Sequence, residues 1–306
     1  WDAQQEQIIL DRIKVVLTNP KNVKGIHNSV FEMEWSKAIL GIDITNIEDS
    51  MLQKYILDCR TGTMNMDFLT FVNYGISHKI YPNSIMSNLT QLPIDDLLDY
   101  NGKDTIFEYR IYKMQEKQLK KNEILYTVYK EQLETAKTIA QMQFDGACTN
   151  AESREKLLIG YKNNRESLEK ELLNLDSVKE FRNKYGKIPV LKSNSKDMPR
   201  ILFEIEGLDP FKKTDKGNYS VDKEVLSMYS DKSEFCELLL KYREFSGIEG
   251  KVLKSYTECV FPDEKYHTSF FPVETGRLSA RSINLQNLDK RKHPEIRQII
   301  VAPEGH

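Results

Sequence analysis

Apolar residues recur at helical spacing along most of the chain, and that period predicts a mostly helical protein. NVKGIHN (22–28) reads as the end of a short strand. SVFEMEWSKAIL (29–40) follows as a helix, stopped by Gly41. MLQKYILD (51–58) is a second helical run. Pro93 opens a longer one, with Asp95 and Asp96 at its positive end. Along it Tyr100, Asp104, Phe107, Ile111 and Met114 fall three or four apart, on one face. Leu125, Tyr129, Leu133, Ala136 and Ala140 stripe the next helix. TNAE (149–152) reads as a capping box with Thr149 as the cap, opening a helix that carries Leu157, Tyr161, Leu168, Leu172 and Leu175. These two are expected to pair as long antiparallel helices. Beyond 191 the helices shorten, with Ser195 and Ser220 as expected caps. From 263 the period changes. KYHTSFFPVE alternates like a strand, and RQIIVAP (297–303) is a β-branched run that predicts another.

The 306 residues are 40% hydrophobic and 29% charged, the composition of an ordinary globular protein of more than one domain. The net charge is −2, so any nucleic-acid contact must come from a local excess of positive charge. No apolar run nears the ~18–20 residues of a membrane span, so no membrane role is expected. The first thirty residues lack the apolar core of a signal peptide. Cys59, Cys148, Cys236 and Cys259 are scattered, which argues against structural zinc and suits a reducing, cytoplasmic setting. Residues 113–187 hold fifteen Lys/Arg against twelve Asp/Glu, a mixture that reads as a solvated helical surface.

The densest chemistry lies in TGRLSARSINLQN (275–287). Arg277, Ser279, Arg281, Asn284, Gln286 and Asn287 fall within eleven residues there. The final thirty residues hold six Lys/Arg against three Asp/Glu. Guanidinium and amide donors suit a duplex minor groove, where every base pair presents acceptors in nearly equivalent places. Such a surface senses pairing geometry and ignores sequence.

TGRLSARSINLQN, followed by EIRQIIVAPEG (295–305), closely resembles family A DNA polymerases (the DNA polymerase I family) of phage or bacterial type. Their pattern reads T-G-R-L-S-S-x-x-P-N-L-Q-N-I-P, then I-R-x-x-F-x-A-P-x-G. The chain departs from it at Ala280, Ile283 and Leu288-Asp289. SNSKDMPRILFEIEGL (193–208), KKTDKGNYSVDKEVL (212–226) and LLKYREFSGIEGKV (239–252) resemble, in order, segments of the family's thumb, with Gly247 in place of a usual Lys. GIHNSVFE (25–32) is similar to the second motif of the family's 3′-5′ exonuclease, N-x-x-F/Y-D, with Glu32 for Asp. YNGKD (100–104) is similar to its third, Y-x-x-x-D. Outside that context Tyr100 reads as a half-buried ring beside a surface Asp, and Asn28 as an N-cap.

The resemblance implies an α+β, mostly helical fold: a partial RNase H-like 3′-5′ exonuclease domain over 1–117, a helical duplex-binding thumb over 118–262, and the first strands of a polymerase palm over 263–306. It implies Glu32 and Asp104 as ligands of a two-metal Mg²⁺ site, and Tyr100, one turn before Asp104, as the group that orients the attacking water. Asn28, Phe31, Asn194, Ser195, Lys216, Arg277, Ser279, Asn284, Gln286 and Asn287 would contact primer-template DNA, with Arg277 on the primer-terminal pair. The first exonuclease motif and the polymerase metal and dNTP sites are expected outside 1–306. The chain then reads as an inactive middle piece of a replication or repair polymerase, or as one part of a split polymerase that partners the remainder. The alternatives are a stand-alone exonuclease of the DEDD type with a helical extension, and a non-catalytic duplex-binding subunit.

Overall fold

The computed structural model describes residues 2–60, 62–77, 92–192, 195–303 and 305. It is mostly helical with few strands. Two compact units share the chain. The first comprises 1–146 and 267–286, the second 147–266 and 287–306. No described helix is long and apolar enough to cross a membrane.

The first unit opens with α1 (Ala3–Thr18), whose N-cap Asp2 and Gln5 form a capping box. Strand β1 (Lys24–Ile26) runs parallel to β2 (Ile47–Asp49), pairing Lys24 with Ile47 and Ile26 with Asp49. Between them lies α2 (Ser29–Trp35), extended by a π-helical turn over Ser36–Leu40 and stopped by Gly41 at φ 66°. Only glycine takes that left-handed stop without steric cost. Next come α3 (Ser50–Leu57), α4 (Met66–Tyr74), α5 (Ile94–Leu119) and α6 (Glu123–Asp145). Pro93 takes the N-cap of α5. Ile44, Ile47, Leu52, Leu119, Tyr129 and Leu133 form the core. Each such side chain contributes about 1.5–3 kcal/mol by leaving water.

A buried polar chain threads this core. Tyr129, fully buried, accepts the Asp49 N–H at 2.9 Å and donates to Glu48 Oε2 at 2.6 Å. The other Glu48 oxygen pairs with Lys130. Burial first, and then Glu48, drives the Tyr129 hydroxyl far above its ordinary pKa, so it remains a donor. The unit closes with an antiparallel hairpin of Ser269–Pro272 on Leu278–Arg281.

The second unit holds α7 (Ala151–Asn174), α8 (Asp176–Tyr185), the short α9 (Asp197–Pro199) running into a π-helical Arg200–Ile205, α10 (Lys223–Tyr229), α11 (Glu234–Gly247) and α12 (Lys254–Glu258). Leu172, Phe181, Met198, Leu202, Phe235 and Leu239 are fully buried in its core. Ala147–Cys148 pairs with Lys265–Tyr266.

Several local expectations need correction. The cap of α7 is Asn150, which accepts from Ser153 N at 2.7 Å. Thr149 instead donates to the Glu264 carbonyl at 3.0 Å, because its strand segment has a partner there. The cap of α10 is Asp222, which accepts from Val225 N, and Ser220 is buried ahead of it. RQII is no strand. Pro294 starts a 3₁₀ helix over Pro294–Ile299 that buries Ile296 and Ile299, and Ile300 makes a single bridge to Thr149. The expected pairing of α6 with α7 falls across the two units. The stripe of α6 packs on α2 and α3, that of α7 on α11, each inside its own unit.

Candidate functional site

An open cleft of about 1170 Å³ in the first unit is walled by the end of β1, α2, the start of α4, α5 and the hairpin. Asn28 turns the chain into α2 at φ 72°, a left-handed conformation that Asn tolerates better than most residues. Its own side chain does not cap the helix. That task falls to the buried Asp49, also the N-cap of α3. One Asp49 oxygen accepts from Met51 N at 2.7 Å, Leu52 N at 3.1 Å and Asn28 N at 3.3 Å. The other accepts from Ser29 N at 2.7 Å. A single carboxylate therefore satisfies orphan donors of two helices and fixes where α2 begins. Phe31 and Glu32, in its first turn, then line the cleft. Phe31 is 49% exposed and lies 5.9 Å from the Trp35 ring.

Helix α5 supplies the facing wall. Tyr100, Asp104 and Glu108 follow at intervals of four, so they stack on one face. Burial raises the Tyr100 pKa, and so do the Asp104 charge and hydrogen bond and the nearby Asp67. Burial also raises Glu32. Glu108 is pushed up to about 7, by burial and by the charge of Asp49, against a hydrogen bond from Ser50. Its Oε1 is buried without a hydrogen-bond partner. Its Oε2 lies 3.2 Å, and the Tyr112 ring 3.4 Å, from where a Cβ on Gly25 would sit, so a side chain there would press on both. His27 stands beside them, its Nδ1 2.9 Å from Ser50 Oγ. Burial lowers its pKa, while Asp49 and Asp104 oppose that shift.

Asn28, Phe31, Glu32, Tyr100 and Asp104 thus share one cleft. Among the described residues no group of three or more His, Cys, Asp and Glu is placed to hold a metal ion. Sequence reasoning missed His27, Asp67 and Glu108. Extending the Tyr100–Asp104 interval by one turn finds Glu108. Nothing local marks Asp67, which arrives with α4.

The hairpin carries the other group. Gly276, at φ 74°, makes its turn with Val273, and Arg277 sits exposed beside it. Ser279 pairs with Phe271 across the strands. Asn284 Oδ1 accepts from Gln286 N at 3.1 Å, and Gln286 Nε2 donates to the Leu278 carbonyl at 3.2 Å. The buried Gln143 of α6 docks the hairpin. Its Oε1 accepts from Phe270 N at 2.6 Å, and its Nε2 donates to Glu34 at 2.8 Å. Tyr55 of α3 donates to the Val273 carbonyl at 3.1 Å. Ser195, Lys216 and Asn287 belong to the second unit. Ser195 Oγ accepts from Asp197 N at 3.1 Å. Lys216 lies exposed in a turn that Gly217 closes at φ 78°. Asn287 ends a short 3₁₀ turn. Asn194 lies outside the described residues.

Residues 155–306 match the model of DNA polymerase family A, and residues 2–120 that of the 3′-5′ exonuclease family. The chain is 25% identical over 267 residues to DNA polymerase I of Treponema pallidum (strain Nichols), covering 85% of this chain and 26% of that protein. It is 26% identical over 322 residues to the DNA polymerase of Escherichia phage T5, covering 96% of this chain and 37% of that one. The chain spans well under half the length of either relative. In fold it is similar to the POL domain of Pol1 from M. smegmatis, solved in complex with DNA primer-template and dNTP. The TM-score is 0.73 at 19% identity, over 99% of this chain and 49% of that one.

Proposed function

This chain belongs to DNA polymerase family A, and we propose that the protein it is part of is a DNA-directed DNA polymerase that also excises nucleotides from a 3′ end. One observation carries this reading: an exonuclease-family match over 2–120 and a polymerase-family match over 155–306 follow in order on a single chain. The polymerase match speaks against a stand-alone nuclease. In this reading 1–117 belong to the exonuclease, 118–262 to the thumb and 263–306 to the start of the palm. Primer-template DNA and dNTPs are the substrates, as in the M. smegmatis complex.

Glu32 and Asp104 offer hard carboxylate oxygens, the donors that Mg²⁺ takes. Mg²⁺ often binds through one or two carboxylates together with substrate phosphate, so this pair fits part of such a site. When bound, the metals would make a potent nucleophile from water and offset charge on the reacting phosphate. The chain's own residues do the positioning. Tyr100, its pKa raised, keeps its proton at neutral pH and can hold a water through its hydroxyl. Asp49 fixes the helix start that presents Glu32. Arg277, on the hairpin turn, would donate to acceptors of the primer-terminal base pair.

The test uses the full-length protein. Asp104→Ala should abolish trimming of a mismatched primer and leave extension of a matched primer intact. Trimming at the wild-type rate would defeat the excision assignment.

A further inference from the structure

The cleft walls are acidic, with Glu32, Glu34, Asp67, Asp104 and Glu108 along them. A phosphodiester entering such a cleft needs a cation. Lys24 lines it, but its ammonium is spent on the carbonyls of Asn19 and Asn22 and the Thr45 hydroxyl. Among the described residues of the lining the remaining cation is Arg281, which arrives from the hairpin. Its guanidinium lies 4.1 Å from the centre of the Phe271 ring, itself part of the lining. Among the described residues Arg281 makes no ion pair. Stacking on the ring holds the planar group while leaving its edge N–H donors free for a two-point phosphate contact. The exposed Phe31 adds a ring face to the same cleft. Aromatic faces with an arginine are the means by which proteins hold single strands, whose bases are free to stack. Bases in a duplex are already stacked on one another.

We infer that Arg281, seated on Phe271 in the lip of this cleft, grips a backbone phosphate of single-stranded DNA entering by its 3′ end. This rests on the excision reading and adds a positioning residue drawn from the hairpin. It also divides the TGRLSAR segment: Arg277 serves the duplex and Arg281, four residues on, the unpaired strand.

The test uses the 306-residue chain with Trp1→Phe, which leaves Trp35 as its tryptophan beside Phe31. Trp35 emission is titrated with a short oligothymidylate in Mg²⁺ buffer at several salt concentrations, and the length of the oligonucleotide is checked afterwards. Fluorescence anisotropy with a labelled hairpin duplex runs alongside. Arg281→Ala should weaken single-strand binding about tenfold, as loss of a charged contact does. It should also reduce the slope of log affinity against log salt by about 0.7, the value of one phosphate on a single strand. Arg281→Lys should restore the slope and part of the affinity. Duplex affinity should stay within about twofold. An unchanged salt slope in Arg281→Ala, or an equal loss on duplex, would overturn the assignment while leaving the excision reading standing. No Trp35 response to the oligothymidylate in the parent chain would likewise overturn the assignment.

Discussion

Removing the Asp49 carboxylate should loosen two helices whose first residues, Ser29 and Ser50, lie 21 apart in sequence. Three of its four bonds are short, to Ser29, Met51 and Leu52, and the fourth, to Asn28, is long at 3.3 Å. A helix cap is worth about 0.5–2 kcal/mol, and each buried N–H left without a partner costs about 1–3 kcal/mol. Counting two caps, and allowing water to reach the freed groups, Asp49→Ala should cost about 3 kcal/mol locally. Asp49→Asn keeps one acceptor oxygen and turns an NH₂ group toward a backbone donor, so it should cost about half as much. The assay is amide hydrogen exchange at Ser29, Met51 and Leu52, first-turn positions with no partner inside their own helices. A 3 kcal/mol loss corresponds to roughly 100-fold faster exchange through local opening. The order should be alanine, then asparagine, then wild type, with α2 and α3 affected together. Faster exchange confined to α3, with Ser29 untouched, would refute the shared cap.

Glu108 should make the first unit less stable as pH rises. A carboxyl raised in the folded state from its ordinary 4.5 to about 7 binds its proton more tightly when folded. Stability is therefore fullest below the unfolded value, falls between pH 4.5 and about 7, and is level above that. In EDTA, Glu108→Gln should flatten this fall in urea titrations, and an unaltered pH profile would contradict it. In the full-length protein Arg277→Ala should slow extension of matched primers roughly 10–150-fold at all four terminal pairs, the worth of a charged hydrogen bond formed in the transition state. Mispaired termini should suffer much less, and equal losses on both would rule out a geometry-sensing role. Gln143→Leu should free the hairpin, costing about 1–3 kcal/mol through the unpartnered Phe270 N–H. Proteolysis near residues 273–277 should then quicken, and unchanged cleavage would show that docking rests elsewhere.

What was legible in the sequence was what short-range periodicity encodes. The helix after Asn28 and its stop at Gly41 appear as read, because a 3.6-residue stripe and a glycine are local signals. Tyr100 and Asp104 fall on one face for the same reason. Several of the errors involve partners far along the chain. Thr149 resembles a cap until Glu264, more than a hundred residues on, offers a carbonyl. RQII looks like a strand by composition, but Pro294 and the burial of Ile296 and Ile299 favour a 3₁₀ turn. Asp49 caps a helix that begins twenty residues before it, so no window around Ser29 contains the cap. Arg281 sits in a motif that suggests duplex contact, and its place on the cleft lip follows from the docking of the hairpin by Gln143.

The interleaving of the two units has a consequence for synthesis. The hairpin that completes the first unit is encoded after nearly all of the second. Gln143 leaves the ribosome 127 residues before Phe270, its partner. At about 5–20 residues per second that is a wait of roughly 6–25 s. During that interval the far end of α6 presents a buried-type amide, with its acceptor open, to solvent or to a chaperone. The second unit cannot close early either, since residues 287–306 follow the hairpin. Both units are therefore completed by one stretch of forty residues, 267–306. Loop-closure entropy makes such late, long-range joins slow. A ribosome stalled before residue 267 would hold two incomplete units at once, which makes this protein's yield sensitive to pausing there.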